Sequence, residues 1–460
     1  MASAFPEGVV PAPIVDICTR LRSAGHRAWV VGGCVRDVLA GRAVSDWDVC
    51  TTALPADVQK VFKRVIPTGI EHGTVTVLHQ GLSTEVTTLR GEGAYSDGRR
   101  PDNVHFVSDI DEDLARRDFT VNAMAYDPID DKLVDPFRGR EDMGAKIIRA
   151  VGNPLERFGE DGLRVLRAAR FSATLEFEID AETERAMSAT LDTFRKVSPE
   201  RVRDEWLKSM KARKPSQAFR VMHRTGILDI TCPELSKQVG CEQNKWHEYD
   251  VWNHSLECLD AMNGDAVLRL TGLLHDIGKP KTRAMSDKTN DYTFFHHETV
   301  GADMTDAWMR AYKFSNDERE RIVHLVRHHL VCYSDEWTDA AVRRFIKRIG
   351  TERIDDLMRL AEADALAKGR PVDSELQALL RLRERIAQVH AAGHALSARD
   401  LAVRGADLMT HLGLPPSKLI GVLLAQLLER VLDEPTLNER MQLLTLAEEL
   451  AKAEQRKPSA

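Results

Sequence analysis

Three features are scarce in this 460-residue sequence, and each absence narrows what the chain can be. The first is paired cysteine, because seven cysteines are scattered along the chain without a C-x-x-C pair. Zinc ribbons and disulfide scaffolds need paired or regularly spaced cysteines, so the sequence disfavours both classes. Scattered free cysteines are typical of a reducing compartment, and we therefore expect a cytoplasmic protein.

The second scarce feature is the long apolar segment. No run approaches the roughly 20 residues that a membrane-spanning helix needs. The opening residues, MASAFPEGVVPAP, contain no basic stretch followed by an apolar core, so they do not resemble a signal peptide. We expect no membrane partner. The length is sufficient for two or more domains with substantial cores.

The third is an excess of positive charge. Lysine and arginine number 64 against 71 aspartates and glutamates, which gives a formal net charge of −7. Contact with a nucleic-acid backbone needs cations near the phosphates, so any such contact must use local basic patches. Residues 199–214, PERVRDEWLKSMKARK, form one such patch. It is either a helix that binds RNA or a solvated helix face.

The most informative stretch is 28–52, AWVVGGCVRDVLAGRAVSDWDVCTT. An apolar run predicts a buried strand, Gly32-Gly33 predicts a turn, and the chain returns through Asp46, Trp47 and Asp48 into a second strand. Alternate residues of a strand share a face, so the two aspartates are predicted to point one way and Trp47 towards the core. An isolated D-x-D is usually a solvated turn. Paired carboxylates repel each other, however, and Mg²⁺ is the counter-charge that oxygen ligands suit.

The whole pattern resembles the opening motif of the nucleotidyltransferase superfamily that includes DNA polymerase beta. Its form, GGxVRDxLxGRxxxDxD, is similar to that of class II tRNA nucleotidyltransferases (CCA-adding enzymes) and bacterial poly(A) polymerases. The resemblance implies that Asp46 and Asp48 hold catalytic Mg²⁺ and that Gly33 and Arg36 contact the nucleotide. Glu85, on a predicted strand, is either a third carboxylate near the metals or a solvent-facing residue.

Two further segments of this region carry expectations. Residues 90–105 are polar and glycine-rich, which predicts a mobile loop; its full length resembles that of enzymes that complete the terminal A. In LARRDFTVNAMAY, residues 114–126, we predict a helix capped by Asp111 or Asp113, with Arg116, Arg117 and Asp118 in its first turn. The segment resembles the family's second motif, which implies that Arg117 contacts the nucleotide.

Residues 156–173, ERFGEDGLRVLRAARFSA, are predicted to form one helix with Asp161 and Arg164 on one face. An ordinary ion pair is the simplest interpretation. The segment resembles the family's EDxxRxxRxxRF motif, which implies that the two residues select the incoming base and that Arg167 and Arg170 also reach the nucleotide. Arg170, next to an aromatic residue, is alternatively structural.

The chemistry of such a base template follows from its hydrogen-bonding groups. A carboxylate only accepts hydrogen bonds and a guanidinium only donates them. Cytosine and adenine each place an amino donor beside an acceptor, which matches the pair. Uracil and guanine reverse that order, and a buried mismatch of this kind can be rejected by factors of roughly 10⁴.

Histidines recur between residues 247 and 364. The order H…HD…D resembles that of HD phosphohydrolases, which implies that a divalent transition metal such as Ni²⁺ or Mn²⁺ is held by His254, His275, Asp276 and Asp364. His297 and His328 are candidates for substrate or second-metal binding. The resemblance implies hydrolysis of phosphoesters such as 2′,3′-cyclic phosphates; a helical domain with a purely structural role is the alternative.

Together these patterns predict an α+β chain. We expect a polymerase-beta-like head with a mixed sheet over residues 1–148 and a helical neck and body over 149–245. An HD domain over 246–368 and C-terminal helices over 369–460 follow. The predicted activity is addition and repair of the tRNA 3′-terminal CCA from CTP and ATP, by a monomer or homodimer. The alternatives are a CC-adding or A-adding enzyme, a poly(A) polymerase, and a phosphohydrolase whose head only binds RNA.

Overall fold

The computed structural model describes residues 5–91, 105–393 and 395–455. The chain forms two compact units, the first comprising Met1–Ser236 with Ala311–Lys313 and the second Lys237–Arg310 with Phe314–Ala460. The predicted α+β class is confirmed, since one mixed sheet lies in the first unit and helices dominate the rest. The predicted loop at 90–105 lies almost entirely outside the described residues. The domain boundaries at 148, 245 and 368 stay predictions.

The main sheet is built from seven strands: β1 Ala28–Val31, β2 Asp48–Thr51, β3 Val65–Gly69, β4 Thr74–His79, β5 Leu82–Thr88, β6 Ala125–Asp127 and β7 Lys132–Val134. Their order across the sheet is β3-β4-β5-β2-β1-β6-β7. Strands β2 and β5 are parallel, and all other neighbours are antiparallel. Two short pairs lie elsewhere, β8 Ile147–Ile148 with β9 Glu178–Ile179 and β10 Ala284–Ser286 with β11 Asp291–Thr293.

The helices of the first unit are α1 Ala12–Ser23, α2 Gly33–Leu39, α3 Pro55–Val61, α4 Ile110–Ala115, α5 Gly139–Ala145, α6 Pro154–Glu160, α7 Leu163–Leu175, α8 Ala181–Ala189, α9 Leu191–Phe194, α10 Pro199–Ser209, α11 Ser216–Arg224, α12 Ile227–Thr231 and α13 Pro233–Ser236. Those of the second unit are α14 Val251–Ala261, α15 Ala266–Leu274, α16 Lys279–Thr282, α17 His297–Ala311, α18 Asn316–His328, α19 Asp339–Ile349, α20 Ile354–Leu366, α21 Asp373–Ala391, α22 Gly405–Leu412, α23 Lys418–Asp433 and α24 Arg440–Gln455. No helix in the described ranges is long and apolar enough to span a membrane.

Strand β1 is apolar throughout because both of its faces are buried. Ala28 and Val30 belong to the core on the side of α1, whereas Trp29 and Val31 belong to a second core that includes residues of α4. This alternation is the period-two pattern of a central strand. The buried strand fixes the position of the turn that follows it, which opens onto the candidate site.

The prediction that the second strand includes Asp46 is wrong, because the strand begins two residues later. Strand β2 begins at Asp48, because its ladder with β5 starts at the pair Asp48–Glu85 and its ladder with β1 only at Val49. Asp46 and Trp47 approach the strand in irregular conformation. Trp47 still packs against the sheet core, as predicted.

The predicted helix over 114–126 is also wrong. Helix α4 lies upstream and ends at Ala115, and Asp109 caps it by accepting a hydrogen bond from the Asp111 backbone N–H at 3.1 Å. An aspartate cap with acidic residues in the first turn favours a helix start at this point. The paired arginines therefore follow the end of the helix instead of opening it.

Among the described residues, the second unit contains two large apolar cores. Helices α14, α15, α18, α19, α20 and α21 contribute to the first core, and α22, α23 and α24 to the second. Leu379, Leu382 and Ile386 of α21 belong to the first core. Helix α21, which the sequence assigns to the C-terminal segment, thus packs with the histidine-bearing helices.

Candidate functional site

A cleft of about 830 Å³ in the first unit brings together every residue that the sequence predicts for the nucleotidyltransferase site. Small-molecule sites typically measure about 300–1,000 Å³. The predicted residues that line it are Gly33, Arg36, Asp46, Asp48, Arg117, Asp161, Arg164, Arg167 and Arg170. Their individual roles stay predictions, but their convergence is a property of the fold.

Three carboxylates meet on one wall of the cleft. Asp48 and Glu85 are neighbours across parallel strands β2 and β5, and Asp46 precedes β2 and accepts a hydrogen bond from Ser45 Oγ at 2.9 Å. Displacement of water by the cleft and repulsion from Glu85 and Asp46 raise the pKa of Asp48, although Arg117 acts in the opposite direction. An all-oxygen set under mutual repulsion suits Mg²⁺. The position of Glu85 favours its interpretation as the third carboxylate.

The turn between β1 and α2 needs glycine for two reasons. Gly32 has a φ of 78°, a backbone angle that residues with a side chain rarely adopt. A Cβ on it would lie 2.8 Å from Nη1 of Arg117. The glycine therefore lets the Arg117 guanidinium lie directly against the backbone. Gly33 follows as the first residue of α2 and also lines the cleft.

Buried Asp113 positions the two arginines that follow α4. Arg116 Nη2 donates to its Oδ1 at 2.5 Å, and Arg117 Nη2 donates to its Oδ2 at 3.2 Å. Burial acts to raise the pKa of Asp113, but the two guanidinium groups outweigh it and the pKa is lowered. Asp113 is thus the acidic partner of the arginines and not the predicted helix cap.

Arg36 is held from two sides. Its Nη1 donates to Oδ1 of Asn122 at 2.6 Å, and its Nε donates to Asp37 Oδ1 at 2.9 Å. Asn122 belongs to the second motif, whose pattern alone predicts no role for it. Its amide connects the second motif to the first across the cleft.

The arginines on α7 are each fixed by a different group. Arg164 Nη1 donates to Glu160 at 2.5 Å, and its Nη2 donates to the backbone carbonyl of Arg116 at 2.9 Å. Arg167 Nε donates to Asp118 at 2.7 Å. Burial acts to raise the pKa of Asp118, but attraction to Arg167 and hydrogen bonding lower it to about 2.

Arg170 combines the two interpretations that the sequence leaves open. It lines the cleft, and its Nε also donates to buried Glu205 at 2.6 Å. Its guanidinium carbon lies 3.9 Å from the ring centroid of Phe171, within cation–π range. Burial lowers the pKa of Arg170 in spite of Glu205.

The single helix predicted over 156–173 is wrong, because α6 ends at Glu160 and α7 begins at Leu163. Asp161 lies in the break with extended backbone, and a Cβ on Gly162 would lie 2.6 Å from the carbonyl oxygen of Thr193. The glycine therefore allows the chain to pass close to that carbonyl while it changes direction. Asp161 and Arg164 do not share a helix face.

Asp161 takes a partner that the sequence analysis does not identify. Its Oδ1 accepts a hydrogen bond from the Leu163 backbone N–H at 3.0 Å, and its Oδ2 accepts one from Arg201 Nη2 at 2.8 Å. Arg201 belongs to the basic patch over 199–214, and it lines the cleft together with Lys208 of the same patch. Asp161 and Arg164 still both line the cleft, but each is held separately.

The four predicted metal ligands of the second unit also converge. His254 Nε2 lies 3.0 Å from Oδ1 of Asp364 and 3.2 Å from Nε2 of His275, which in turn lies 3.1 Å from Oδ2 of Asp276. Residues more than 100 positions apart thus meet within one small volume. The side chains of His254, His275 and Asp276 are almost completely buried.

A second group shares Asp276 with the first. Nε2 of His297 lies 3.4 Å from Asp276 Oδ1, and Nε2 of His329 lies 3.7 Å from the same oxygen. The structure brings His329, not the predicted His328, into the cluster. The ring of His328 instead lies 4.5 Å from that of His324, outside it.

The four clustered imidazoles share one mode of attachment. The Nδ1 atoms of His275, His297 and His329 each lie 2.7–2.9 Å from the carbonyl oxygen three residues earlier, and that of His254 lies 3.1 Å from the Ala367 carbonyl. A carbonyl only accepts, so Nδ1 of each ring carries a proton and Nε2 is the atom turned to the centre. Nε2 atoms that face one another at 3.2 Å fit a nitrogen-binding transition metal.

Charge within the cluster is balanced by neighbouring groups. Lys279 Nζ lies 2.6 Å from Asp276 Oδ2. Burial acts to lower the pKa of His275, but the Asp276 carboxylate outweighs it and raises that pKa well above the usual value. The pKa of Asp276 is lowered well below its usual value, because His275 and Lys279 outweigh the effect of burial. A metal cation can take the place of the His275 proton beside the same carboxylate.

Three sequence families match parts of the chain. "Poly A polymerase head domain" matches residues 28–149, "Probable RNA and SrmB- binding site of polymerase A" matches 176–239, and "tRNA nucleotidyltransferase domain 2" matches 285–447. The CCA-adding enzyme of Lactobacillus delbrueckii subsp. bulgaricus is 34% identical over 417 residues, which are 91% of this chain and 92% of that protein. This chain belongs to the CCA-adding enzyme family.

Alignments with several other family members cover a smaller part of the chain. The CCA-adding enzyme of Lactobacillus gasseri is 46% identical over 213 residues, which are 46% of this chain and 53% of that protein. The chain therefore spans about half the length of several relatives that it matches.

Solved structures of family members have the same fold. The CCA-adding enzyme of Bacillus stearothermophilus in complex with CTP superposes with a TM-score of 0.71 at 26% identity, over 96% of this chain and 98% of that chain. A tRNA nucleotidyltransferase complexed with a primer tRNA and an incoming ATP analog gives a TM-score of 0.56 at 20% identity, which shows the fold alone. The expected polymerase-beta-like head followed by helices is confirmed.

Proposed function

We propose that this protein adds the 3′-terminal CCA sequence to tRNA, using CTP and ATP and releasing pyrophosphate. The observation that carries the proposal is the cleft, where three carboxylates face a set of fixed arginines in a chain of the CCA-adding enzyme family. The reaction joins the RNA 3′-oxygen to the α-phosphorus of the nucleotide. It needs a positively charged binding surface and a base-selecting surface, and the cleft offers both.

The carboxylates Asp46, Asp48 and Glu85 would hold Mg²⁺. When bound, the ion supplies Lewis-acid activation of the 3′-hydroxyl and neutralises charge on the phosphates. Opposite them, Arg117 presents a guanidinium group that Asp113 already orients, so little side-chain entropy is lost when a triphosphate arrives. Preorganised charge of this kind is the main source of rate enhancement in phosphoryl transfer.

Asp161 and Arg164 would select the base. The carboxylate accepts the amino group of cytosine or adenine, and the guanidinium donates to the adjacent ring acceptor. Each has its own partner, Asp161 in Arg201 and Arg164 in Glu160, so both side chains are oriented before the nucleotide binds. Exposed Lys211 and Lys214, in the region that matches the RNA-binding family, would contact the tRNA backbone.

Three tRNA transcripts test the proposal, ending at the discriminator base, at C and at CC. Each is incubated with the protein, Mg²⁺ and CTP, ATP or both, and the products are sized at single-nucleotide resolution. Growth of all three to CCA followed by a stop is expected. Extension of the CC-ended transcript alone would indicate an A-adding enzyme, and arrest at CC a CC-adding one. A long adenosine ladder would indicate a poly(A) polymerase.

We also propose that the histidine cluster hydrolyses phosphoesters in a metal-dependent reaction. The supporting observation is that four imidazoles turn their Nε2 atoms towards one another around Asp276. The two groups, His254-His275-Asp276 with Asp364 and Asp276-His297-His329, offer donors for two ions that share Asp276. When bound, a divalent transition metal such as Mn²⁺ or Ni²⁺ lowers the pKa of water and neutralises the phosphate.

In the hydrolysis of a 2′,3′-cyclic phosphate, the water oxygen bonds to phosphorus and one ribose oxygen leaves with a proton. The test uses the Asp48→Asn variant, so that the first site does not contribute. Metal content is measured by mass spectrometry, and hydrolysis of adenosine 2′,3′-cyclic phosphate is followed by chromatography. Neither bound metal nor hydrolysis after loading with Mn²⁺ or Ni²⁺ would leave the cluster with a structural role.

A further inference from the structure

We propose that Phe295, at the cavity beside the histidine cluster, is the residue on which the nucleobase of a phosphoester substrate stacks. The inference rests on the proposed hydrolysis at that cluster and names a residue that selects its substrate. It excludes small phosphoesters without a base as preferred substrates.

The cavity measures about 490 Å³, within the typical range of roughly 300–1,000 Å³ for small-molecule sites. Asp276, His297 and His329 line its polar end. Phe295 and Leu330 also line it, and their side chains are 75% and 48% exposed. The cavity therefore combines a metal-binding end with an apolar wall that is open to solvent.

Phe295 is exposed although Phe294 before it and His297 after it are buried. Its neighbour Phe294 is buried in a small apolar cluster, and His297 two residues later is buried among the metal-binding groups. Between them, His296 has a φ of 63°, a left-handed conformation that a residue with a side chain rarely adopts. Of the two successive rings, that of Phe294 is buried and that of Phe295 is exposed, and the left-handed residue after them turns the chain into α17.

A single exposed aromatic residue needs no explanation, but its setting here does. Phe295 and Leu330 flank a cavity that Lys279 and Lys368 also line, and the two ammonium groups pair with Asp276 and Glu375. Cations beside an aromatic surface are the pattern by which proteins bind nucleotides without reading their sequence, with phosphate on the cations and the base on the ring. A base-free phosphoester would leave the apolar wall in water.

The test compares two substrates that differ only in the base. One is adenosine 2′,3′-cyclic phosphate, and the other is the same cyclic phosphate of methyl riboside, which has no base. For the Mn²⁺-loaded full-length protein we expect a KM about tenfold lower for the nucleoside substrate, within the range that base stacking provides. Phe295→Ala should remove that advantage, and Phe295→Trp should restore it.

Met285→Ala is the matched control, because Met285 is 53% exposed in the same unit and does not line the cavity. Its KM values should equal those of the unchanged protein. Equal KM values for the two substrates, or the same KM in Phe295→Ala, would overturn the proposal. Since Phe295 is largely exposed, its replacement should leave the fold intact.

A second readout does not depend on hydrolysis. Stacking quenches the fluorescence of 2-aminopurine, so 2-aminopurine riboside monophosphate should be quenched by the metal-free protein and not by Phe295→Ala. If no phosphoester is hydrolysed, the proposed activity of the cluster fails, yet quenching that depends on Phe295 would still support base binding. Absence of quenching in the unchanged protein would overturn the inference.

Discussion

The two sites differ in what holds their functional groups in place. In the cleft, arginines are held by acidic side chains, as Asp113 holds Arg117 and Asp118 holds Arg167. In the histidine cluster, each imidazole is held by a main-chain carbonyl. Side-chain ion pairs can rearrange when a charged substrate arrives, whereas a carbonyl at a helix end keeps its position. The cleft is therefore suited to a succession of nucleotides and the cluster to a resident metal.

The two sites also differ in the atoms that they offer to a metal ion. The carboxylates of the cleft are exposed oxygen donors that favour a hard, exchangeable ion such as Mg²⁺. The cluster offers four buried nitrogen donors, which favour transition metals. One chain thus uses two ligand chemistries, and replacement of single residues should separate them.

The largest expected effect is on nucleotide incorporation. Asp48→Asn should lower incorporation of CTP and ATP by about 10³-fold, because a metal interaction worth several kcal/mol is lost. The folded state should not be destabilised, since repulsion between Asp48 and its acidic neighbours is relieved. Primer extension and thermal unfolding measure the two quantities. Metal content of the histidine cluster should stay unchanged, and its loss would show that the sites are coupled.

Replacement of two adjacent histidines, His328 and His329, tests which of them binds metal in the cluster. His329→Ala should weaken binding of the second metal equivalent by about 100-fold, since loss of a ligand costs at least as much as loss of a partner behind it. His328→Ala is the matched control and should bind as the unchanged protein does. Titration with Mn²⁺ followed by paramagnetic resonance gives both affinities. The opposite result would show that His328 is the ligand.

Acid should destabilise the fold around the cleft, because it protonates Asp118. The pKa of this group is lowered to about 2, so it stabilises the fold fully above its ordinary pKa of 3.8. That contribution, about 2 kcal/mol, is lost as the pH falls from about 5 to 2. The free energy of unfolding of Asp118→Asn should therefore lie below that of the unchanged protein at pH 7.

The difference in the free energy of unfolding between Asp118→Asn and the unchanged protein should shrink towards pH 2, because Asp118 is then protonated. Urea unfolding followed by hydrogen exchange in peptides from residues 110–170 isolates this region from the second unit. A difference that does not depend on pH would mean that the asparagine acts through packing and not through lost charge.

The smallest expected effect concerns base choice. Arg201→Ala should lower the preference for CTP over UTP by about tenfold, because Asp161 loses the partner that orients it. Lys211→Ala, on the same patch but without a contact to Asp161, should lower tRNA affinity and leave base choice unchanged. Single-nucleotide incorporation with each nucleotide measures both. Unchanged base choice in Arg201→Ala would show that the Leu163 N–H alone orients Asp161.

The sequence predicts the groups of the cleft well because they belong to contiguous motifs. Gly33, Asp46 and Asp48 lie within one strand–turn–helix–strand unit, and all line the cleft. The partners that fix them are distant in sequence, as with Asp118 and Arg167, which are 49 residues apart. Which acidic residue meets which arginine depends on how α7 packs, and local patterns do not contain that information.

One wrong prediction and one omitted residue carried a local signal. The dipeptide Asp161-Gly162 is a turn signal inside the predicted helix, and the structure breaks the helix at that point. Lys279 follows Asp276 by three residues, a spacing that favours an ion pair. The choice between His328 and His329 had no such signal, because it depends on where α18 ends.

The carbonyl tethers of the histidine cluster have an evolutionary consequence. A point mutation can delete a side-chain partner, but it cannot delete a main-chain oxygen. Drift in the residues around the cluster therefore leaves the ring orientations of His275, His297 and His329 intact as long as the helix ends persist. Lineages that abandon this site should do so by losing the ligands themselves, and the helical scaffold should outlast them.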